Sequence, residues 1–259
     1  MAQVTSADGT AIGFEVAGAG DPPLILIDGA MCWRDSGPMR GIAAALSGTH
    51  AVYLYDRRGR GASGDTLPFA VDREVEDLAA LIDAAGGTAA LLGMSSGGAL
   101  VARAALQLGG SVTHLAVYEP PYMPPPARES AAAYTKQLMA ALARGDRDAA
   151  VAAFLMRVGV PEAGVETMRR SPAWDATLAI APTLAYDDAA MGDSSVPSAL
   201  AGISAPVLAL AGGASPGLLQ WGARELAALV PGARFEEVEG QGHGVDPAAL
   251  APHVRRFLA

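Results

Sequence analysis

At 259 residues, 51% hydrophobic and only 17% charged, the chain carries enough apolar side chain for one large core, and its composition excludes disorder. A net charge of −9 works against a phosphate backbone or an anionic membrane surface, so neither nucleic acid nor membrane is an expected partner. Cys32 is the single cysteine, which excludes an intrachain disulfide and a thiolate metal cluster.

Met1 to Ala11 is polar and lacks the basic start and apolar stretch of a signal peptide. No apolar run reaches the roughly 18 residues of a membrane span, so the expected location is cytoplasmic. Gln3 to Ser6 and Thr10 to Val16 flank Asp8-Gly9 as the two strands of a hairpin. After Asp21-Pro22-Pro23 comes Leu24-Ile25-Leu26-Ile27, apolar on both faces as a buried parallel strand must be. Gly41 to Leu46 suits a helix and Ala51 to Tyr55 a strand, which ends in Asp56-Arg57-Arg58-Gly59-Arg60-Gly61-Ala62-Ser63-Gly64. From Val71 to Ala85, apolar Val71, Val75, Leu78 and Ile82 recur at helical spacing. Acidic residues in the early turns suit the helix dipole, and Gly86-Gly87 stops the helix.

The apolar run Thr88 to Leu92 passes through Gly93-Met94-Ser95-Ser96-Gly97-Gly98 into helical Ala99 to Leu106. Val112 to Tyr118 is the following strand, ending at Glu119-Pro120-Pro121. Pro124-Pro125-Pro126 then opens a region, to about Pro197, of Ala-rich helical patterns without a convincing core strand. Strand character resumes at Pro206 to Leu210, followed by a helix (Leu218 to Leu229), a strand (Arg234 to Val238) and a last helix (Ala248 to Leu258). This alternation predicts an α/β fold, a mostly parallel sheet covered on both faces. The expected organisation is a core of residues 1–121 and 201–259 with a helical cap, 122–200, inserted between two strands.

A strand that turns directly into a helix through G-x-S-x-G is a nucleophile elbow, with Ser95 exposed at the tip of a sharp turn that the flanking glycines permit. With this elbow, the inserted region and a late Gly240-Gln241-Gly242-His243 in this order, the chain resembles the α/β-hydrolase fold family over nearly its whole length. The other carriers are Leu24-Ile25-Leu26-Ile27-Asp28-Gly29, which is similar to the family's His-Gly oxyanion loop with Asp28 in place of His, and Tyr55-Asp56-Arg57-Arg58-Gly59-Arg60-Gly61-Ala62-Ser63. The latter looks like the D-x-R-G-x-G-x-S stretch of the epoxide-hydrolase and haloperoxidase-like branches. The resemblance implies a twisted sheet of about eight strands, a serine nucleophile and no cofactor.

Ser95 needs a base, because a free hydroxyl is a poor nucleophile at neutral pH. His50, His114 and His253 read as structural or surface residues, whereas His243 follows a strand in a Gly-rich loop, where the family carries its catalytic histidine. The family's usual acid position, after Val207 to Leu210, reads Ala211-Gly212-Gly213-Ala214-Ser215-Pro216-Gly217 and has no carboxylate. Glu119, at the end of the preceding strand, is the expected acid, since a subset of the family takes its acid from there. Asp187 or Asp188 in the cap, or no acid at all, are the alternatives, and Asp246 is too close in sequence to His243 to orient it easily. The resemblance places the oxyanion-hole N–H groups on Ala30 and Ser96. Asp28 would shape the Gly29-Ala30 turn through an Asx-type bond. Met31, Trp33, Met94 and Tyr122 are candidate pocket residues, with Met123, Tyr134, Met139 and Trp174 of the cap as further ones; Cys32 reads as a packing residue, and the Arg57, Arg58 and Arg60 stretch as structural.

Ser95 in place of an aspartate argues against haloalkane dehalogenase or epoxide hydrolase chemistry, and no G-x-G-x-x-G follows the first parallel strand. The expected function is a cofactor-free, carboxylesterase-like hydrolase acting on a small-molecule ester, thioester or similar acyl compound through an acyl-enzyme on Ser95. Two rivals stand beside it: a lyase or cyclase on the same fold, and a ligand-binding module that has lost catalysis.

Overall fold

The computed structural model describes residues 2–259; Met1 lies outside it. Among the described residues, eight strands form a single sheet in the order β1-β2-β4-β3-β5-β6-β7-β8. The hairpin strands β1 (Ala2–Thr5) and β2 (Ala11–Ala17) lie antiparallel at one edge, and β2 runs antiparallel to β4. All remaining pairings are parallel. They join β3 (Leu24–Ile27), β4 (Val52–Tyr55), β5 (Ala89–Met94), β6 (Val112–Tyr118), β7 (Val207–Gly212) and β8 (Arg234–Val238). Every residue of β3, β5 and β7 is buried, as strands covered on both faces require.

Helices cover both faces. On one, α1 (Met39–Leu46) and α10 (Pro247–Leu258) pack Ile42, Leu46, Val254 and their neighbours over Leu24, Leu26, Leu92 and Leu208. On the other, α2 (Val71–Ala84), α3 (Ser96–Leu108) and α9 (Gly217–Leu229) pack Leu78, Leu100 and Leu226 over Ile25, Leu91, Leu115 and Ala209. Successive side chains of a strand point to opposite faces, so the run Leu24 to Ile27 serves both layers in alternation.

The residues between β6 and β7 form α4 (Pro125–Ala143), α5 (Arg147–Arg157), α6 (Glu162–Arg169), α7 (Trp174–Ala179) and α8 (Leu184–Met191). Leu138, Val151, Leu155, Val165 and Leu184 give this inserted bundle an apolar centre of its own. No helix among the described residues is long and apolar enough to cross a membrane.

Register brings the ends of the central strands together. Ile27 pairs with Gly93, Met94 with Tyr118, and Tyr118 with Leu210. The residues just beyond, Asp28, Ser95, Glu119 and Ala211, therefore lie side by side at the carboxyl edge of the sheet, where crevices of open α/β folds form.

Candidate active site

The strand before the elbow runs to Met94, two residues beyond the expected end, because Met94 still pairs with Tyr118. The helix begins at Ser96, so Ser95 alone makes the turn. Its φ of 55° and ψ of −130° are a conformation that a side chain with a Cβ rarely adopts, and the fold holds it there through Ser95 N–H on Tyr118 O at 2.9 Å. The turn also needs backbone in close approach. A Cβ on Gly93 would stand 2.4 Å from Gly97 O, and one on Gly97 would stand 2.5 Å from Asp28 O. One on Gly29 would stand 2.9 Å from the Ser95 Cβ. Glycine is thus dictated on both sides of the serine.

Glu119, one residue past β6, also has positive φ (48°) and is 0% exposed. Its Oε1 accepts from the Gly212 N–H at 2.8 Å, and its Oε2 lies 2.6 Å from His243 Nδ1. Burial, the largest influence, raises the carboxyl pKa. The hydrogen bonds from His243 and Gly212 outweigh it and hold the group below the usual glutamate range. A carboxylate only accepts, so His243 Nδ1 carries a proton and Nε2 presents its lone pair. The histidine side chain is 40% exposed and faces the cavity that Ser95 also lines. Its Gly-rich loop is pinned rather than loose. Tyr118 Oη donates to Gly242 O at 2.6 Å, and Ala214 N–H donates to Gln241 O at 2.8 Å. The three expected catalytic residues are brought to one place.

Ala30 and Ser96 line the same cavity. The Ser96 amide opens α3, where the first N–H groups of a helix lack intrahelical partners and carry the positive end of its dipole. Behind these two amides lies a buried cluster of charges. Arg57 donates through Nε and Nη2 to Glu74 at 2.9 and 2.7 Å, and through Nη1 to Asp187 at 2.6 Å and to Asp28 O at 3.3 Å. Arg60 reaches Asp187 at 2.5 Å, Gly29 O at 2.7 Å and Thr183 Oγ1 at 3.0 Å. Asp187 in turn accepts from Ser96 Oγ at 2.8 Å. Burial raises the Asp187 pKa, and the facing Arg60 and Arg57 guanidinium groups bring it net below the usual aspartate range. Arg58 is held separately by Asp77 and Asp8. The arginine stretch is buried structure; it holds the carbonyls of Asp28 and Gly29 beside Ala30 directly, and it reaches the Ser96 side chain through Asp187.

Asp187 is thereby committed to two arginines and a serine. Asp188 accepts from Thr135 Oγ1 at 2.9 Å, and Asp246 caps α10 by accepting from Ala248 N–H at 2.8 Å. None of these alternative acids is bonded to His243. The other histidines are placed elsewhere: His50 on Pro22 O, His253 on Glu236, and His114 edge-on to Phe257. Asp28 differs from expectation. Its carboxyl turns towards Gly37 (a Cβ there would lie 2.8 Å from Oδ1) instead of bracing the Gly29-Ala30 turn, and Oδ1 is buried without a hydrogen-bond partner. Burial pushes this carboxyl up to about 7, against the pull of Arg60 and Arg57. The Cys32 thiol is likewise pushed up to about 12 by burial, the chemistry of a packing residue.

The cavity measures about 430 Å³ and opens between the sheet edge and the inserted helices. Of the expected pocket residues, Met123 and Tyr134 line it, whereas Met31, Trp33, Met94, Tyr122, Met139 and Trp174 do not. Met94 points into the layer under α1 and α10, and Tyr122 into the layer under α2, α3 and α9. Met31 packs on the core of the inserted helices, and Trp33 closes a small bridge with Ser36. A residue next to a catalytic one in sequence points to the opposite face of a strand, which is why proximity misleads at Met94. The wall is built from Met123, Tyr134, Phe154, Met191 and Leu219, with Arg157, Asp188 and Ser194 as its polar members. Met123 and Tyr134 were expected there, but not Phe154, Met191 or Leu219, because helical spacing does not say which face meets a cavity. Among the described residues, no group of three or more His, Cys, Asp or Glu side chains is arranged to hold a metal ion.

Comparison with known proteins agrees with this architecture. The model of the alpha/beta hydrolase family matches residues 16–254. The crystal structure of an alpha/beta hydrolase from Sphaerobacter thermophilus is 45% identical, with each chain covered over its full length (100%) and a TM-score of 0.86. That of a hydrolase from Pseudomonas aeruginosa is 26% identical, covering 100% of this chain and 98% of the other, with a TM-score of 0.78. The polyketide synthase ThaQ of Burkholderia thailandensis is 31% identical over 239 residues, 85% of this chain. The chain spans only 11% of that much longer protein.

Proposed function

Because the chain belongs to the alpha/beta hydrolase family, we propose that it is a serine hydrolase cleaving a small ester, thioester or similar acyl compound through an acyl-enzyme on Ser95. The observation that carries this reading is the placement of Ser95 and a Glu119-held His243 on one cavity. The 45% identical hydrolase of the same fold supports it.

In the first half-reaction, His243 Nε2 removes the Ser95 hydroxyl proton as Oγ attacks the acyl carbon. The Ala30 and Ser96 N–H groups receive the oxyanion, already oriented and needing no rearrangement as charge develops. Glu119 stabilises the imidazolium and keeps the ring in the tautomer that began the step. Collapse of the tetrahedral intermediate breaks the bond to the leaving group, which takes the proton from Nε2 and departs as alcohol or thiol. Water then repeats the sequence: Nε2 accepts its proton, hydroxyl adds to the acyl carbon, and Ser95 Oγ leaves reprotonated, releasing the carboxylic acid. The inserted helices act as a cap whose apolar wall receives the acyl chain.

An active-site fluorophosphonate probe tests the assignment. It labels the wild-type protein and leaves Ser95→Ala unlabelled. Equal labelling of the two, or no labelling of wild type, removes the serine-hydrolase reading.

A further inference from the structure

Buried cations in this protein are met by carboxylates: Arg57 by Glu74 and Asp187, Arg58 by Asp77 and Asp8, Arg60 by Asp187. Arg157, the last residue of α5, is partly buried in the cavity wall and breaks the pattern. Its contacts are the Met123 sulfur at 3.1 Å from Nη2, Ser130 Oγ at 3.4 Å from Nη1, and the face of Tyr134, whose centroid lies 5.6 Å away. Among the described residues no carboxylate stands within ion-pair distance of it. A thioether and a distant hydroxyl are poor acceptors for a guanidinium, which presents a planar fork of N–H groups suited to a carboxylate.

The surroundings sharpen the point. Of the two carboxylates in the wall, Asp187 is held by two arginines, and Asp188 is bonded to Thr135 and acts on Arg157 only through space, without an ion pair. Burial also shifts Asp188 upward, towards its neutral form, and destabilises the charge on Arg157. The rest of the wall is largely apolar, so a cation here attracts an anion more strongly than it would in water. Arg157 and Tyr134 also border a second hollow of about 260 Å³. The Nη2 edge turns to Met123, which lines the catalytic cavity, and Nη1 turns to Ser130, which lines the second hollow.

We propose that Arg157 is the anchor for a carboxylate on the substrate, so that the preferred substrates are acyl compounds bearing a carboxylate at the end remote from the scissile bond. The proposal rests on the serine-hydrolase reading for the bond that is cut, and on the wall geometry alone for the group that is held. On binding, the carboxylate replaces the Met123 sulfur at the guanidinium edge and supplies the ion-pair contact that Asp188 does not make. The methylene or aromatic spacer lies against Phe154, Met191 and Leu219.

A matched pair of substrates tests it: activated monoesters of a dicarboxylic acid, and the same esters with the remote carboxylate capped as a methyl ester. Wild type prefers the free carboxylate by about tenfold or more in kcat/KM, chiefly through KM, and in Arg157→Met the ratio falls towards one. Arg157→Lys, which keeps the charge without the fork, lies between. Equal rates on the pair in wild type, or a preference that survives Arg157→Met, overturn the proposal. Calorimetry of Ser95→Ala with the dicarboxylate product separates the two readings. Binding that disappears in Ser95→Ala/Arg157→Met supports the anchor even where no ester is turned over. Turnover of both esters without discrimination keeps the hydrolase and removes the anchor.

Discussion

Glu119 and Asp28 are acidic residues at the ends of neighbouring parts of one sheet edge, and their surroundings treat them oppositely. Glu119 receives two hydrogen bonds and is held below the ordinary glutamate range, so it remains ionised well into acid. Glu119→Gln keeps the shape but removes the charge that, in the proposed mechanism, stabilises the imidazolium. Turnover should fall on the order of 10³–10⁴-fold with near-unchanged circular dichroism, and a rate near that of wild type would exclude the carboxylate from the mechanism. Asp28 has an orphan oxygen in a dry place and is raised to about 7 from an ordinary value of 3.8. Between those values the folded protein holds a proton that the unfolded chain has lost. The stabilisation is therefore complete below the lower value and lost as pH rises through the upper one. Asp28 should therefore contribute a fall in the melting temperature of wild type from about pH 4 to about pH 7; Asp28→Asn cannot ionise, so this contribution should vanish in the variant, and identical slopes would contradict the assignment.

At the scale of elements, α8 is more than a piece of the roof. Asp187 on its first turn bonds Arg57 and Arg60 of the loop after β4 and Ser96 of α3, joining three segments distant in sequence. Removing one partner from a buried ionic cluster leaves charge without compensation, which costs about 3–5 kcal/mol. Asp187→Asn should lower the melting temperature by on the order of 10 °C and reduce turnover, since Ser96 loses its brace; a melting temperature within a degree or two of wild type would show the cluster to be dispensable. This cluster also marks where the sequence stopped being readable. The elbow was legible because strand, G-x-S-x-G and helix are contiguous, and each element follows from local periodicity. The arginine stretch was legible as structural, but its partner Asp187 lies 130 residues from Arg57 and 127 from Arg60. No local pattern assigns such a pairing, and Asp187 read from sequence only as an alternative acid.

For the molecule as a whole, the order of strands decides the chemistry. Glu119 and His243 are 124 residues apart, yet the parallel register of β5, β6 and β7 sets Ser95 and Glu119 on adjacent strand ends and turns the Gly212 amide onto Glu119. The carboxylate absent after β7 is replaced from β6, while β7 supplies a backbone donor to hold it. Glu119 was singled out because a subset of the resembling family takes its acid from this strand end, and adjacency of the two strand ends is what lets it reach His243. The cavity wall was anticipated only at Met123 and Tyr134, because α4, α5 and α8 bury apolar residues on several sides and periodicity alone does not say which side meets the cavity.

The ionic tie through Asp187 bears on how relatives of this protein can be recombined. Cap segments are tempting units to exchange between related hydrolases, since both junctions lie at strand ends. Here a transplant that replaced α8 without an acid at position 187 would leave Arg60 without a carboxylate and Arg57 with Glu74 alone, beneath the Ser95 turn. A graft that carried the acid into a host lacking those arginines would bury an uncompensated carboxylate instead. Chimeras of this scaffold should therefore exchange the loop after β4 and the helix α8 as one inherited pair.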